Sequence, residues 1–472
     1  MPGFRSEGLL SRRERLARAV YSAAWWLAVP LVIVYLLWRS RRQPDYRRHW
    51  GERFGFGPRV EPGQPRPIWI HAVSVGETAA AVPLIRRLAE QFPDAPILLT
   101  HGTPTGRQTG ELRLKELGGR LRQAYLPYDL AGAVDRFFHL RKPRIGLIME
   151  TEVWPNLMAA ARRHGVPVAS INARLSARSL ARGLRHAALI RPAMAAFARI
   201  VAQTPADAQR IARLGRVADA VAGNLKFDQP VSFDAQRRGL AWRRRLGVRP
   251  VVLAASTREG EEALILGAWR RQLPALAGDP AGTGEAAPLL IIVPRHPNRF
   301  DAVATLITAA ALPGGMARRA ALDDATADLG SVACLLGDSM GEMQSWYAAA
   351  DVTIMGGSLL PFGSQNLIEA NALGCPVVLG PSFYNFEQAA RESIERGASL
   401  PVGDAEHAVS EALALAADGE RRQAMAAAAL DFAAAHRGAT ERTLLALAPM
   451  LRANPPVADA PPPLEKGASR AR

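Results

Sequence analysis

The sequence predicts an α/β protein built from two doubly wound parallel sheets, preceded by an N-terminal membrane-anchor helix. Three observations point there. Short apolar runs alternate with longer helical stretches over residues 67–176, and a second such series starts near Pro250. Polar and glycine-containing loops follow the strand ends in both series, which is where sheets of this kind hold ligands. Residues 19–38, AVYSAAWWLAVPLVIVYLLW, carry no charge, and about 20 such residues suffice to cross a bilayer as a helix.

The anchor comes first in the chain. Trp25, Trp26, Trp38 and the flanking arginines suit a membrane–water interface. The run ends in Trp38-Arg39-Ser40-Arg41-Arg42 without a small-residue cleavage site, so it reads as an anchor and not as a cleaved signal. Pro30 in its middle leaves two geometries open, a spanning helix and one lying in a single leaflet. Arginines flank both ends (Arg12, Arg13, Arg15 and Arg18 before, Arg39, Arg41, Arg42, Arg47 and Arg48 after), so charge asymmetry sets no orientation.

A basic connector leads into the first strand, Pro67 to Val73, then a tight turn and a helix over 78–91. Further strands are expected at 97–100, 145–149 and 166–171, each followed by a polar loop. The second series places strands at 251–255, 289–293, 332–336, 351–355 and 376–379. The resulting division is 1–43 for the anchor and its basic flank, 44–235 for a first doubly wound domain, 236–450 for a second and 451–472 for a disordered tail rich in Pro and Ala. A Gly- and Pro-containing stretch at 278–288 reads as a surface loop.

At 472 residues the chain is long enough for two domains. A net charge of +16 favours anionic partners. No zinc-finger spacing or RNA-binding aromatic motif accompanies it, and the anchor tilts the choice to a membrane surface and away from nucleic acid. Cys334 and Cys375 sit in apolar runs and read as buried free thiols. There is no P-loop, no G-x-G-x-x-G after the first strand and no D-x-D-like pair at a strand end. No cofactor and no metal are therefore expected.

The candidate site residues all follow strands. Glu77, in Ser74-Val75-Gly76-Glu77, is placed to accept a proton from a substrate hydroxyl, or else to interact with a helix dipole. Glu150 and Glu152 occupy the matching place after a later strand, and their spacing suggests that only one points inward. Lys226, in Asn224-Leu225-Lys226-Phe227-Asp228, could neutralise a phosphate or carboxylate, or be a solvated surface lysine. Arg295 and His296, between prolines, form a cationic corner suited to phosphate. Gly341-Glu342-Met343 and the segment Gly363-Ser364-Gln365-Asn366-Leu367-Ile368-Glu369 present small residues ahead of helix starts, where free N–H groups can meet a phosphate. Asn366 can cap its helix, and Glu369 lies one turn in, within reach of a ribose diol.

Several strings together carry a family resemblance: RHWGERFG (48–55), HAVSVGE (71–77), METEVWPN (149–156), NARLS (172–176), GNLKFD (223–228), VPRHP (293–297), GDSMGEM (337–343) and the GGS…N…E segment (356–369). In order, they resemble the 3-deoxy-D-manno-octulosonic acid (Kdo) transferases of lipopolysaccharide biosynthesis, over about residues 19–440. The resemblance implies a GT-B fold, two Rossmann-like domains facing a cleft. It implies inverting, metal-independent transfer of Kdo from CMP-Kdo to the lipid A precursor lipid IVA, with release of CMP. Glu77 would be the general base, with Glu150 and Lys226 supporting the transition state. Arg295, His296, Gly341, Glu342, Met343, Asn366, Leu367, Ile368 and Glu369 would bind the donor. The implied location is the inner membrane, with the catalytic domains on its cytoplasmic side. The chain departs from the family at Gly363-Ser364-Gln365, where Gly-Gly-His is common, and in lacking Pro after Asn366. A different GT-B transferase using a UDP-sugar and a membrane lipid is the alternative reading. A membrane-tethered binding protein is a third, disfavoured by the joint presence of Glu77, Lys226, Arg295 and Glu369.

Overall fold

The computed structural model describes residues 10–41, 43–277 and 287–453. Most of the stretch expected as a surface loop (278–288) and of the expected disordered tail (451–472) lies outside them. The chain divides into two units. One comprises the residues up to Gln229 together with those from Gly438 onward; the other is Pro230–Arg437. The sequence suggests 236–450 for the second domain. Residues 438–453 instead pack in the first unit, and the helix Ala439–Ala453 extends into the expected tail.

The first unit holds a seven-stranded sheet. Its strands are β1 (Ile68–His71), β2 (Ile97–His101), β3 (Leu121–Tyr125), β4 (Ile145–Met149), β5 (Val168–Ala173), β6 (Arg199–Ala202) and β7 (Ala220–Val221). Their order is β3-β2-β1-β4-β5-β6-β7, and every pairing is parallel. β1 and β4 are the central pair, and their residues are buried on both faces because helices cover both. One face packs Ile68, Ile70, Leu147 and Ile171 against Leu84, Ile85 and Leu88, with Leu447, Met450 and Leu451 of the returning C-terminal helix. The other packs Trp69 and Ile148 against Phe137, Phe138 and Leu157. Gly146 leaves room for this arrangement, since a Cβ there would lie 2.5 Å from the Trp69 ring.

The second unit repeats the plan with β8 (Val251–Thr257), β9 (Leu289–Pro294), β10 (Met316–Arg318), β11 (Cys334–Leu336), β12 (Val352–Met355), β13 (Val377–Leu379) and β14 (Ser399–Pro401). Their order is β10-β11-β9-β8-β12-β13-β14, again parallel. Cys334 and Cys375 are buried free thiols, as expected. Burial pushes both up, Cys375 to about 12.

The segment expected as an anchor is one helix, Arg12–Ser40, begun by a reciprocal Ser11–Glu14 capping box. It is long and apolar enough to cross a membrane. It also lies against the first unit along its length. Glu14 and Arg18 line a small cavity with Pro155, Met158 and Ala193. Ser22 donates to Asn156 at 3.1 Å, and Trp25 sits 5.9 Å from Tyr128. Leu36 is buried near the far end, and Arg39 covers the Tyr46 ring at 4.8 Å.

The RHWGERFG string seats the segment that follows. The Glu52 carboxylate accepts the Tyr125 N–H at 2.9 Å and Arg107 at 2.8 Å. Arg53, buried, lies 3.9 Å over the Tyr125 ring and donates to the Gly102 carbonyl. Gly55 has φ +84°, and a Cβ there would meet the Ala133 carbonyl oxygen at 2.1 Å.

Candidate active site

In the first unit the sheet order reverses direction between β1 and β4, the point at which doubly wound sheets bind ligands. Glu77 follows β1 and Glu150 follows β4. Glu77 lies in the first turn of the helix Val75–Gln91, which begins three residues earlier than the sequence suggested because Ser74 caps it. The carboxylate is held by the Val73 N–H at 2.9 Å and the Ser74 hydroxyl at 3.0 Å. Burial raises it to about 7; Glu150 and, more weakly, Glu152 push the same way, against those two hydrogen bonds.

Glu150 sits just past the strand in the left-handed region, φ +57°. Its N–H donates to the Ile171 carbonyl at 2.9 Å, and its carbonyl accepts the Ser170 hydroxyl at 2.8 Å. The Lys226 ammonium lies 3.8 Å from its carboxylate. Glu152 is also raised, by burial first, with Trp154 opposing and Glu150 adding to it. The charges of both Glu150 and Glu152 act on Glu77, Glu150 the more strongly. The strand ends at Met149, so the alternation that separates neighbours two apart no longer applies.

Lys226 lies on the short 3-10 helix Leu225–Asp228. Asn224 accepts the Lys226 N–H at 3.0 Å, and Asn172, the first residue of the NARLS string, accepts the Leu225 N–H at 3.0 Å. Asn172 is buried with φ +51°, a conformation asparagine tolerates. Its role in seating Lys226 was not legible in the sequence. Asp228 accepts the N–H groups of Gly438 at 2.7 Å and Thr440 at 2.5 Å, which caps the returning helix. Two histidines back the sheet edge. His71 bonds Thr100 at 2.9 Å and is pushed down to about 3 by burial; His101 bonds Gln123 at 2.8 Å and is lowered to about 4, again chiefly by burial. Both are neutral near pH 7 and serve packing.

The other predicted residues fall in the second unit, after β9, β11 and β12. The Arg295 guanidinium is held by Gln365 at 3.2 Å. Burial lowers it, Arg258 pushes the same way, and Glu369 opposes. Partial burial, with the charges of Arg295, Arg258 and Arg299, holds His296 below its usual value. The positive charge of the corner thus resides on arginines and not on His296. Arg258, which the sequence reading did not single out, stacks 4.4 Å over Phe362.

The loop after β12 is shaped by Glu261, a fully buried carboxylate absent from the expected set. It accepts N–H groups from Gly357 at 2.6 Å, Arg258 at 2.8 Å and Leu359 at 3.0 Å. Its signal was the Glu pair in Arg258-Glu259-Gly260-Glu261-Glu262, where Glu262 pairs with Arg299.

Gly341 makes a left-handed turn (φ +80°) ahead of Glu342. The Glu342 carboxylate takes two bonds of 2.7 Å from Arg319 and also meets Ser339 and Arg238. Those partners hold it below the usual carboxylate range. Met343 opens the helix Met343–Ala349 and packs against the core. Asn366 caps the helix Leu367–Ala372 by accepting the Ile368 N–H at 3.2 Å. Leu367 and Ile368 were expected to bind donor, but their side chains are buried at 0% and 1% exposure. Only their backbone remains for a ligand. Glu369, half-buried, acts on Arg295 and on the buried Tyr347.

A family profile described as "3-Deoxy-D-manno-octulosonic-acid transferase (kdotransferase)" matches residues 48–229. The chain is 46% identical over 437 residues to a 3-deoxy-D-manno-octulosonic acid transferase of Bordetella pertussis, covering 92% of this chain and 99% of the relative. The chain belongs to the 3-deoxy-D-manno-octulosonic acid transferase family. A Haemophilus influenzae member is 33% identical over 93% of this chain and 99% of its own length. Among solved structures, a UDP-GlcNAc 2-epimerase from Neisseria meningitidis superposes with TM-score 0.53 at 14% identity, covering 81% of this chain and all of that one. That likeness concerns fold alone, a GT-B-like pair of parallel-sheet α/β units. This Kdo transferase is thus a glycosyltransferase of lipopolysaccharide biosynthesis.

Proposed function

We propose that this Kdo transferase moves Kdo from CMP-Kdo to the lipid A precursor lipid IVA, with inversion and release of CMP, without a metal. The observation that carries the mechanism is Glu77, a half-buried carboxylate raised to about 7 at the point where the first sheet reverses. A base must be ionised at working pH yet basic enough to take a proton from a sugar hydroxyl, and a value near 7 meets both demands. Lys226, paired with Glu150, supplies positive charge in the same unit as an oxyanion forms. Donor binding is assigned to the second unit. There Arg258, Arg295 and Arg299 gather at the strand ends, and their charge suits a departing phosphate. Asn366 and Glu369 are proposed donor contacts on the same unit.

The membrane reading is supported by the anchor helix. Leu16, Val20, Leu27, Leu31, Val34 and Trp38 are each more than half exposed. At 100° per residue they fall within a sector of about 60°, on the side away from Ser22, Trp25 and Leu36. A helix that crosses a bilayer cannot keep its early and late turns against one water-exposed body. The contacts favour a helix lying in one leaflet, apolar stripe toward lipid. The inner membrane and its cytoplasmic side fit the two reduced, buried thiols and the nucleotide donor. A nitroxide at Leu27, near mid-helix, would report shallow depth for this geometry and the bilayer midplane for a spanning one.

The test of function is a mass-spectrometric product assay. Purified full-length protein receives CMP-Kdo and tetraacylated lipid A precursor without divalent metal, beside a Glu77→Gln variant. A Kdo-sized gain that the variant loses, inhibited by CMP and not by UDP, is the expected result. No gain with intact donor and folded protein sinks the assignment and turns attention to UDP-sugars.

A further inference from the structure

The loop carrying Glu150 and Glu152 is held at both ends. At its start, β5 grips Glu150 through Ile171 and Ser170. At its end stands Asp129, a carboxylate with 1% exposure. It accepts the N–H groups of Asn156 at 3.0 Å and Leu157 at 2.7 Å, the first turn of the helix Pro155–Arg163. The Asn156 amide donates to the Asp129 carbonyl at 2.7 Å. That leaves the Asn156 side-chain oxygen, which accepts the hydroxyl of Ser22 on the anchor helix at 3.1 Å. The neighbouring Tyr21 interacts with the Asp129 carboxylate itself.

Lipid attachment alone does not call for this. A helix with an exposed apolar stripe would hold to a bilayer with Ala at positions 21 and 22, and inserting polar groups into a buried site carries a desolvation penalty unless each finds a partner. Here each does, and the partners are the two residues that fix the helix following the acidic loop. Glu150, meanwhile, holds a left-handed backbone that a non-glycine residue keeps only when its surroundings enforce it.

We propose that Asp129 and Asn156 are positioning residues that couple the seating of the anchor helix to the conformation of the Glu150–Trp154 loop, and so couple turnover to membrane attachment. The proposal rests on the reading of Glu150 as part of the site. An unseated anchor would leave the Asn156 side chain half-paired and Asp129 short of a partner. The loop then relaxes, while the arginines of the second unit are untouched.

The experiment uses full-length protein in phospholipid vesicles and compares Tyr21→Phe/Ser22→Ala with the parent. Both substitutions lie on the anchor, so the loop and its fold are not themselves altered. The expected result is a kcat about tenfold lower with KM for CMP-Kdo unchanged, vesicle flotation retained, and faster amide exchange at residues 156–157. Ser22→Thr, which keeps the hydroxyl, restores kcat when Tyr21 is present. A kcat within twofold of the parent, or a loss that tracks loss of flotation alone, overturns the coupling. Glu150→Gln serves as the control: full turnover in that variant overturns the reading of the loop itself, whereas an inactive control beside an unimpaired anchor variant overturns the coupling only.

Discussion

Replacing Glu77 by Gln should stabilise the protein at alkaline pH while abolishing transfer. The carboxylate is raised from an ordinary 4.5 to about 7, burial being the main cause. A carboxylate whose folded value lies above its unfolded value binds its proton more tightly when folded. Stability from that proton is present below pH 4.5 and is lost as pH rises through 7. At about 1.36 kcal/mol per pH unit, the full cost of ionising Glu77 in place is roughly 3 kcal/mol. Gln never pays it. The variant weakens two hydrogen bonds, from Val73 and Ser74, worth ~1 kcal/mol each. That loss is common to both ends of the pH range and cancels in the comparison. The assay is thermal unfolding of parent and variant at pH 5 and pH 8. The variant's Tm relative to the parent should rise by roughly 5–10 °C between the two. A difference independent of pH would refute the claim that Glu77 ionises at a cost.

Three further outcomes follow from other contacts. Arg295→Ala should raise KM for CMP-Kdo at least about tenfold, and Gln365→Ala, which frees the guanidinium without removing it, by less; steady-state kinetics with varied donor decides. Asp228→Ala should cost about 1–2 kcal/mol by uncapping the helix Ala439–Ala453, seen in thermal unfolding and in faster proteolysis near Gly438. Glu342→Gln should destabilise by ~1–3 kcal/mol, since it breaks a paired contact with Arg319; unchanged Tm with impaired donor binding would return Glu342 to the ligand site.

Of the fourteen strands among the described residues, nine were legible in the sequence and five were not, for a physical reason. β3, β7, β10 and β14 are the four sheet edges. An edge strand has only one covered neighbour, so it needs no continuous apolar run, and β7 is two residues long. β6, next to an edge, begins with the half-exposed Arg199. The interior strands announce themselves because both faces are buried. The proposed site residues follow the same rule, as polar residues after interior strands: Glu77 after β1, Glu150 after β4, Arg295 after β9. The sequence did not reveal which polar residues are already engaged. Glu342 is held by Arg319, more than twenty residues earlier, and no local spacing announces that pair. Leu367 and Ile368 matched a motif, but their side chains pack inward. Asn172, Glu261 and Arg258 act through backbone groups or neighbours distant in sequence, and one-dimensional spacing carries no trace of that.

The return of the last helix bears on how the protein is made. The first unit owns Leu447, Met450 and Leu451, residues of the core that also contains Ile68 and Ile145. On the ribosome, the part of this unit up to Gln229 emerges long before that helix exists, and the entire second unit is synthesised in between. The nascent first unit therefore waits with part of one apolar face uncovered, beside the portion that Leu84, Ile85 and Leu88 already cover. The helix Arg12–Ser40 emerges ahead of the strands of this unit, so under the proposed membrane reading the waiting unit is held at a bilayer, where incomplete neighbours are kept apart from one another. A transcript cut at residue 437 would yield a complete second unit and an aggregation-prone first one, although every proposed catalytic side chain would be present.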